Sequence, residues 1–177
     1  MNYTELFNNM HPDFFQKKNI RSIPKEQVYS ELVMDLRKDA PKKTPFDFPV
    51  TFGEYCGDIS LLREAVGSVD KDWVQWFNEE DRVFCAFDKE KIASFCLLSD
   101  MGRFQGIHIG GPGCVGTVPE YRRRGIGLEM VRLATEKLKE EGYDLSWIHY
   151  THIADWYMKL GYKPVLRWNS GGIIGNG

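Results

Sequence analysis

The sequence predicts an α/β domain built around a mixed sheet, and three observations support this prediction. Short apolar runs, typical of strands, alternate with segments of helical periodicity. Their order along the chain is strand, helices, three strands, helix, strand, helix, strand, an alternation that favours helices packed on a sheet. The 177 residues are enough for one domain with a complete core that needs no disulfide or structural metal to stabilise it.

The chain is predicted to begin with an extension that precedes the domain. Residues 1–27 mix aromatic, polar and basic side chains without a clear period, so we interpret them as an N-terminal extension with one short helix. A single domain is then expected over 28–177. Its first strand is predicted at Val28–Leu36, where apolar residues are concentrated.

A loop and a helical region follow the first strand. Residues 38–50 contain three prolines, which forbid a regular helix there. Residues 58–78 show helical spacing of apolar side chains, with a break near Gly67. Runs 82–87 and 92–98 then flank a polar turn and predict a hairpin of central strands.

The remaining elements alternate between strand and helix. A strand is predicted over 107–118, and its Gly-Gly-Pro-Gly segment indicates a bulge or a close backbone approach. Residues 125–141 have the strongest helical pattern, with an apolar stripe and a charged face. A strand at 145–150, a short helix at 153–160 and a strand at 162–168 complete the domain. The Gly- and Asn-rich end is expected to fray.

Composition excludes several classes of protein. The 23 basic and 25 acidic residues give a net charge of -2, which argues against a general nucleic-acid binder. No pair of the four cysteines has Cys-x-x-Cys spacing, so no metal site is predicted. The N-terminus lacks the pattern of a signal peptide, and no apolar run approaches a membrane span. We therefore expect a cytoplasmic protein without membrane contact.

The segment Val115–Gly127, VGTVPEYRRRGIG, carries the chemical information. A predicted strand ends near Val118, and a basic turn leads to Gly125-Ile126-Gly127 at the start of a helix. The first N–H groups of a helix lack internal partners, and the helix dipole is positive there. Glycines let a phosphate approach the backbone, and three arginines add positive charge. The turn is therefore a candidate pyrophosphate site, with a solvated helix cap as the alternative.

This segment resembles the acetyl-CoA signature of the GNAT superfamily, Arg/Gln-x-x-Gly-x-Gly/Ala, at Arg122, Gly125 and Gly127. Residues 154–162, ADWYMKLGY, resemble the second motif of the same family, a short helix with a tyrosine followed by Leu-Gly-Phe/Tyr. The resemblance covers about 28–168 in element order. It implies a GNAT-like, mixed, mostly antiparallel central sheet flanked by helices on both faces.

The resemblance also implies acetyl-CoA as co-substrate and a set of residues that bind it. The pantetheine arm is expected beside the strand that precedes the turn, where a backbone N–H polarises the thioester. The pyrophosphate is expected on residues 123–128, and Thr151 stands where family members often have an asparagine that contacts the cofactor. The cofactor-binding residues are thus Val115, Gly116, Thr117, Val118, Arg122, Arg123, Arg124, Gly125, Ile126, Gly127, Leu128 and Thr151.

The catalytic residues are less well defined. Tyr157 matches the general acid that protonates the departing thiolate in this family, although its helical spacing also fits a core aromatic. Many family members carry a carboxylate on the fourth strand as general base, and this strand has none. His108 and Asp100 are the nearby candidates, His149 lies on the next strand, and a water chain is an alternative.

The resemblance implies an N-acetyltransferase that acts on a primary amine of a small molecule or amino sugar. A protein or peptide N-acetyltransferase and a non-catalytic CoA-binding regulatory module are the alternatives. An acidic and aromatic segment around residues 70–81 is a candidate for attracting an amine, but a solvated helix end over a core face is the favoured explanation. A homodimer is a further possibility, and nucleic acid is not expected as a partner.

Overall fold

Helices and strands alternate along the chain, as the order of the predicted elements requires. The computed structural model describes residues 1–177. The strands are β1 (Tyr29–Asp35), β2 (Thr51–Glu54), β3 (Val83–Asp88), β4 (Lys91–Phe104), β5 (Ile107–Thr117), β6 (Leu145–Thr151), β7 (Lys163–Asn169) and β8 (Gly172–Asn176). The α-helices are α1 (Tyr3–Met10), α2 (Lys18–Arg21), α3 (Ile59–Val69), α4 (Ile126–Glu140) and α5 (Ala154–Met158). None of the helices is both long and apolar enough to cross a bilayer.

All eight strands belong to one sheet, in the order β2-β3-β4-β5-β6-β1-β7-β8. Every neighbouring pair is antiparallel except β5 and β6, which are parallel. This parallel pairing is limited to Ile109 with Leu145 and Gly110 with Ser146. Beyond these residues β5 stays with β4, and β6 stays with β1, so the two strands diverge and open the centre of the sheet. The predicted mixed, mostly antiparallel sheet is confirmed.

Helices cover both faces of the sheet, as predicted. On one face, α4 and α5 bury an apolar stripe that includes Met130, Leu138 and Tyr157 against the strands. On the other face, α3 buries Leu62 and Val66, while α1 packs nearer to β6 and β7. The opening between β5 and β6 is thus enclosed by different helices on its two sides.

The long helix α4 confirms the prediction for residues 125–141. Gly125 precedes it with a positive φ of 77°, a conformation that glycine adopts without steric cost. Gly142, with φ of 82°, follows its end and allows the chain to reverse. The break predicted near Gly67 in the helical region 58–78 lies at Asp70. The Asp70 carboxylate accepts a hydrogen bond from the Asp72 N–H and so starts a separate 3-10 segment, Lys71–Trp76.

Two strands were not predicted. The prediction that the C-terminal residues fray is wrong, because Gly172–Asn176 forms β8 and pairs with β7 through Trp168 and Ile173. Thr51–Glu54 forms β2, which pairs with β3 at the sheet edge. Both strands are short and glycine-containing, so their pairing with a neighbour, rather than their composition, makes them strands.

Residues 1–27 pack against the sheet and share its core. Leu6, Phe7, Phe14 and Ile20 are buried in one cluster with residues of β6 and β7, including the fully buried Trp147 and Trp168. The Phe7 ring lies 5.3 Å from the Phe14 ring, edge on, and 6.0 Å from the His149 ring. The segment therefore covers one face of the sheet near the diverging part of β6.

Replacing Phe7 with alanine is expected to lower the free energy of unfolding by about 3–5 kcal/mol, since the fully buried ring would leave a cavity. Urea denaturation followed by tryptophan fluorescence measures this loss. Asn9→Ala, at an exposed position of the same helix, is the matched control and should change stability by less than about 0.5 kcal/mol. A loss below about 1 kcal/mol for Phe7→Ala would show that the segment contributes little to the cooperative core.

Candidate functional site

The opening between β5 and β6 presents a free backbone edge. Leu97 pairs with Gly113 and Phe95 with Gly116, so β5 contains one extra residue, and Cys114 occupies this bulge with φ of 45°. The Val118 N–H donates to the Ala93 carbonyl of β4 at 3.0 Å. Since successive N–H groups alternate in direction, those of Thr117 and Val115 face the opening.

The side chain of Arg122 closes part of this edge. Its Nε donates to the Thr117 carbonyl oxygen at 3.0 Å, which ties the basic turn to the end of β5. Because Arg122 occupies the Thr117 carbonyl, Val115 is the residue next to the Cys114 bulge whose backbone edge stays free to face the opening. This edge can accept an extended chain with amide groups, such as pantetheine, as an added strand.

The turn that follows β5 contains a row of free hydrogen-bond donors. The six N–H groups from Arg123 to Leu128 have no acceptor in the protein, neither backbone nor side chain. Arg123 and Gly125 have positive φ values of 62° and 77°, which curve the turn at the start of α4. The helix dipole adds positive potential at the same place. These features fit a diphosphate, which binds where several backbone donors converge.

The arginines of the turn are exposed, and two of them have defined contacts. Arg122 is tied to β5, and the Arg124 guanidinium lies 4.8 Å from the centre of the Phe48 ring. A side-chain carbon at Gly125 would lie 3.6 Å from the Phe46 ring of the same proline-rich loop. The loop 38–50 therefore packs beside the turn and restricts the conformations that the turn can adopt.

Ser94 holds the end of β5 in place and was not predicted as part of the site. It is fully buried, and its hydroxyl donates to the Gly116 carbonyl at 2.6 Å and lies 3.0 Å from the Thr117 hydroxyl. A side-chain carbon at Gly127 would meet that same Thr117 oxygen at 2.7 Å. The one sequence signal for Ser94 was its interruption of the apolar run of β4.

Tyr157 is buried in the core on the α4 side, and its hydroxyl has no hydrogen-bond partner in the protein. Burial raises the pKa of this phenol above its ordinary value, and the nearby Cys96 thiol adds to the effect. The group therefore stays protonated over the neutral range. The adjacent Trp156 ring packs edge on against Tyr157 at 4.8 Å and also reaches the position of Gly127. Tyr157 thus lies near the turn.

His108 and Asp100 lie at the other end of β5. His108 Nε2 is 3.2 Å from the Asp100 carboxylate, and its Nδ1 is 3.1 Å from the Arg103 guanidinium. The ring also stacks on Tyr143 at 3.9 Å. His108 and Val115 are seven positions apart along the strand, roughly 23 Å of extended chain. The structure therefore does not bring these two candidates to the diverging part of the strands.

Thr151 ends β6 and is buried. Its hydroxyl oxygen accepts a hydrogen bond from the Ile153 N–H at 3.2 Å, which fixes the start of the turn into α5. This contact occupies the oxygen as an acceptor and leaves the O–H as a donor. A direct contact between Thr151 and the cofactor stays a prediction.

Cys114 lies in the bulge of β5, and burial raises the pKa of its thiol to about 11, with a smaller contribution from the negative charge of Asp70. At pH 8 only roughly one such thiol in a thousand is ionised. Cys114 is therefore poorly suited to form an acyl-enzyme.

Alkylation by iodoacetamide at pH 8 is expected to modify the exposed Cys56 long before Cys114, because the thiolate is the reacting form. Peptide mass spectrometry over time measures the two rates. The rate at Cys114 should rise about tenfold per pH unit up to pH 11, as deprotonation supplies the thiolate. Equal labelling of both cysteines at pH 8 would contradict this assignment.

Comparisons with known proteins agree with this geometry. Residues 54–165 match the family model described as an acetyltransferase (GNAT) domain. Among curated protein sequences, none is similar enough to this chain to count as a match. Many solved structures share the fold.

One similar structure is the region described as a GCN5-related glucosamine N-acetyltransferase in a fungal multi-domain GH3 β-N-acetylglucosaminidase. It has a TM-score of 0.66 and 19% identity over 88% of this chain and 21% of that chain. A GCN5-related N-acetyltransferase from Sphaerobacter thermophilus has a TM-score of 0.58 and 14% identity over 94% of this chain and 54% of that one. One from Kribbella flavida has a TM-score of 0.55 and 16% identity over 80% and 56%.

The chain thus spans about a fifth of the fungal protein and about half of each bacterial one. At these identities the structures establish the fold alone. The family model, however, covers more than half of the chain and includes β5, the basic turn and α5. The chain therefore belongs to the GNAT family of acetyltransferases.

Proposed function

We propose that this protein transfers an acetyl group from acetyl-CoA to a primary amine of a small molecule or amino sugar, by direct attack of the amine. The observation that carries the proposal is the row of six free N–H groups from Arg123 to Leu128, at the end of the strand that borders the opening. A diphosphate held there would direct the attached pantetheine along β5. Acetyl-CoA then supplies an activated thioester at the centre of the sheet.

Three groups of the chain have the properties that this reaction needs. The Val115 N–H faces the opening and can donate to the thioester carbonyl oxygen, where negative charge develops. Tyr157 is a neutral, unpartnered proton donor on the α5 side and can protonate the sulfur as the C–S bond breaks. Cys114 remains a neutral thiol, which favours direct transfer over a covalent enzyme intermediate.

The acceptor is expected to approach from the α3 side of the sheet, opposite Tyr157. Asp70 lies close enough to Cys114 to affect its thiol, so this side carries negative charge near the opening. Such charge attracts an ammonium group. The fungal relative described as a glucosamine N-acetyltransferase supports amino sugars as the first class to test. A peptide amine is the alternative acceptor.

Calorimetry with acetyl-CoA, followed by turnover assays on a panel of amino sugars, alkylamines and peptides, tests the proposal. We expect saturable binding of acetyl-CoA and release of free CoA that depends on an amino sugar or small amine. Turnover on peptides alone would transfer the assignment to a peptide N-acetyltransferase. Binding without turnover on any acceptor would indicate a CoA-binding regulatory module.

A further inference from the structure

A buried carboxylate lies on β1 beside the diverging part of β6. Glu31 is completely buried, and its two oxygens accept hydrogen bonds from the indole N–H of Trp147 at 2.6 Å and of Trp168 at 2.7 Å. The backbone N–H of Tyr150 donates to it at 3.1 Å. The fourth contact is with Nδ1 of His149, at 2.9 Å. This carboxylate was not among the residues that the family resemblance implied.

This arrangement fixes the orientation and tautomer of His149. A carboxylate with three obligatory donors can only accept from His149, so the proton of the neutral ring is on Nδ1. Nε2 is then a free acceptor, and it has no hydrogen-bond partner in the protein. It is also not enclosed, because the one buried side-chain nitrogen or oxygen without a partner is His11 Nε2. The His149 side chain is 23% exposed.

His149 lies on the part of β6 that has separated from β5. It follows the last residue paired with β5, Ser146, by three positions. If that pairing continued, His149 would face Gly113, next to the Cys114 bulge. Tyr150 has a positive φ of 57°, and the register with β1 shifts there, so a second bulge faces the first across the opening. Strained backbone of this kind is concentrated at functional sites.

The side chain of His149 is also on the side of the sheet that the proposed reaction requires. It contacts Phe7 and Phe14 of the N-terminal segment, whereas Tyr157 packs in the core on the α4 side. The N-terminal segment and α3 cover the same face of the sheet. An amine that attacks the thioester from this face would meet His149, and the sulfur would leave toward Tyr157 on the other face. The two proton transfers would thus occur on opposite faces of the opening.

We propose that His149 is the general base of the reaction and that Glu31 is the residue that positions it; this rests on the proposed function. The amine nitrogen forms a bond to the thioester carbon, and its proton moves to His149 Nε2. The C–S bond breaks, and the sulfur takes the proton of the Tyr157 hydroxyl. Solvent then removes the proton from His149 and returns one to Tyr157, so the net products are the amide and free CoA.

The groups that face His149 are few. Glu31 lies on β1, Tyr150 on β6, and His11 follows α1 and stacks on the His149 ring at 4.0 Å. Burial, and next the nearby His149, lower the pKa of His11 to about 4, so its ring is neutral near pH 7. Lys17 is the further cation that acts on His11. Glu31 is therefore the acidic side chain in contact with His149, and a carboxylate partner at Nδ1 leaves Nε2 to accept a proton.

The test compares His149→Gln with wild type on an acceptor that the wild-type protein acetylates. The glutamine amide cannot take a proton as the imidazole does, so we expect kcat to fall by about 10²–10³-fold. The acidic limb of the pH–kcat profile that belongs to the base should disappear, while the amine's own titration remains in both proteins. Calorimetric affinity for acetyl-CoA should change less than about threefold.

His152→Gln is the matched control, since this exposed histidine lies three positions along the chain and has no carboxylate partner. His149→Ala with added imidazole supplies a second readout: rescue of kcat is expected for a base and not for a structural side chain. An unchanged kcat and pH profile in His149→Gln, or a larger loss in His108→Gln, would overturn the inference. Wild-type turnover tests the proposed function, whereas the ratio of variant to wild type tests His149.

Discussion

Replacing Gly125 with valine is expected to weaken acetyl-CoA binding by at least about 100-fold. Gly125 has φ of 77°, a region that a β-branched residue avoids, so valine would rotate the turn and disperse the free N–H groups from Arg123 to Leu128. A hydrogen bond to a charged group contributes about 1.5–3 kcal/mol, so losing two of them accounts for a factor of this size. Isothermal titration calorimetry with acetyl-CoA measures the change.

Gly106→Val is the matched control for backbone strain. Gly106 also has a positive φ, of 80°, but it lies in the turn between β4 and β5, with no neighbouring atom within 4 Å of an added side-chain carbon. Both variants should lose stability by about 1–3 kcal/mol, while only Gly125→Val should lose affinity for acetyl-CoA. Equal affinities in the two variants would place the diphosphate elsewhere and remove the basis of the proposed function.

Replacing Tyr157 with phenylalanine is expected to lower the rate of acetyl transfer by about 10²–10³-fold, with little change in acetyl-CoA affinity. The hydroxyl of this buried residue has no hydrogen-bond partner in the protein, so its removal costs the fold no hydrogen bond but deprives the departing sulfur of a proton. Single-turnover kinetics measure the chemical step directly. Because the pKa of Tyr157 is raised, the wild-type rate should not fall through loss of this proton as pH approaches 10, the ordinary tyrosine value.

Tyr162→Phe is the control for this variant. Tyr162 belongs to the same core, and its hydroxyl contacts Thr135 at 2.7 Å and Ser146 at 2.6 Å. Its removal should reduce the free energy of unfolding by about 1–3 kcal/mol, since these buried groups lose their partner, and leave the transfer rate within about threefold. A transfer rate for Tyr157→Phe equal to that of wild type would exclude Tyr157 as the proton donor.

The elements of the central fold were predictable because their signals are local. The apolar stripe of α4 with its flanking glycines, and the two arms of the β3–β4 hairpin, specify their structure within a few residues. The N-terminal segment and β8 were not predictable in the same way. Phe7 and Phe14 have no shared period, and they become core residues because Trp147 and Trp168 lie beneath them.

The candidate diphosphate turn and the candidate acid Tyr157 were also predictable from the sequence, since both lie in contiguous motifs. The candidate base could not be predicted in this way. His108 and Asp100 were chosen for their position near the fourth predicted strand, and the strand geometry places them at its far end. Glu31 lies in a mainly apolar strand, and its proposed role depends on its contact with His149, which lies 118 positions later in the chain.

The sequence by itself determined the family fold and the turn that can hold a diphosphate, because helix periodicity and glycine conformations act over neighbouring residues. Only the tertiary structure decided which side chains meet at the opening of the sheet. The parting of β5 from β6, the bulges at Cys114 and Tyr150, and the contact of Glu31 with His149 all arise from strand pairing. Pairing joins residues distant in the chain through register, which no local pattern encodes.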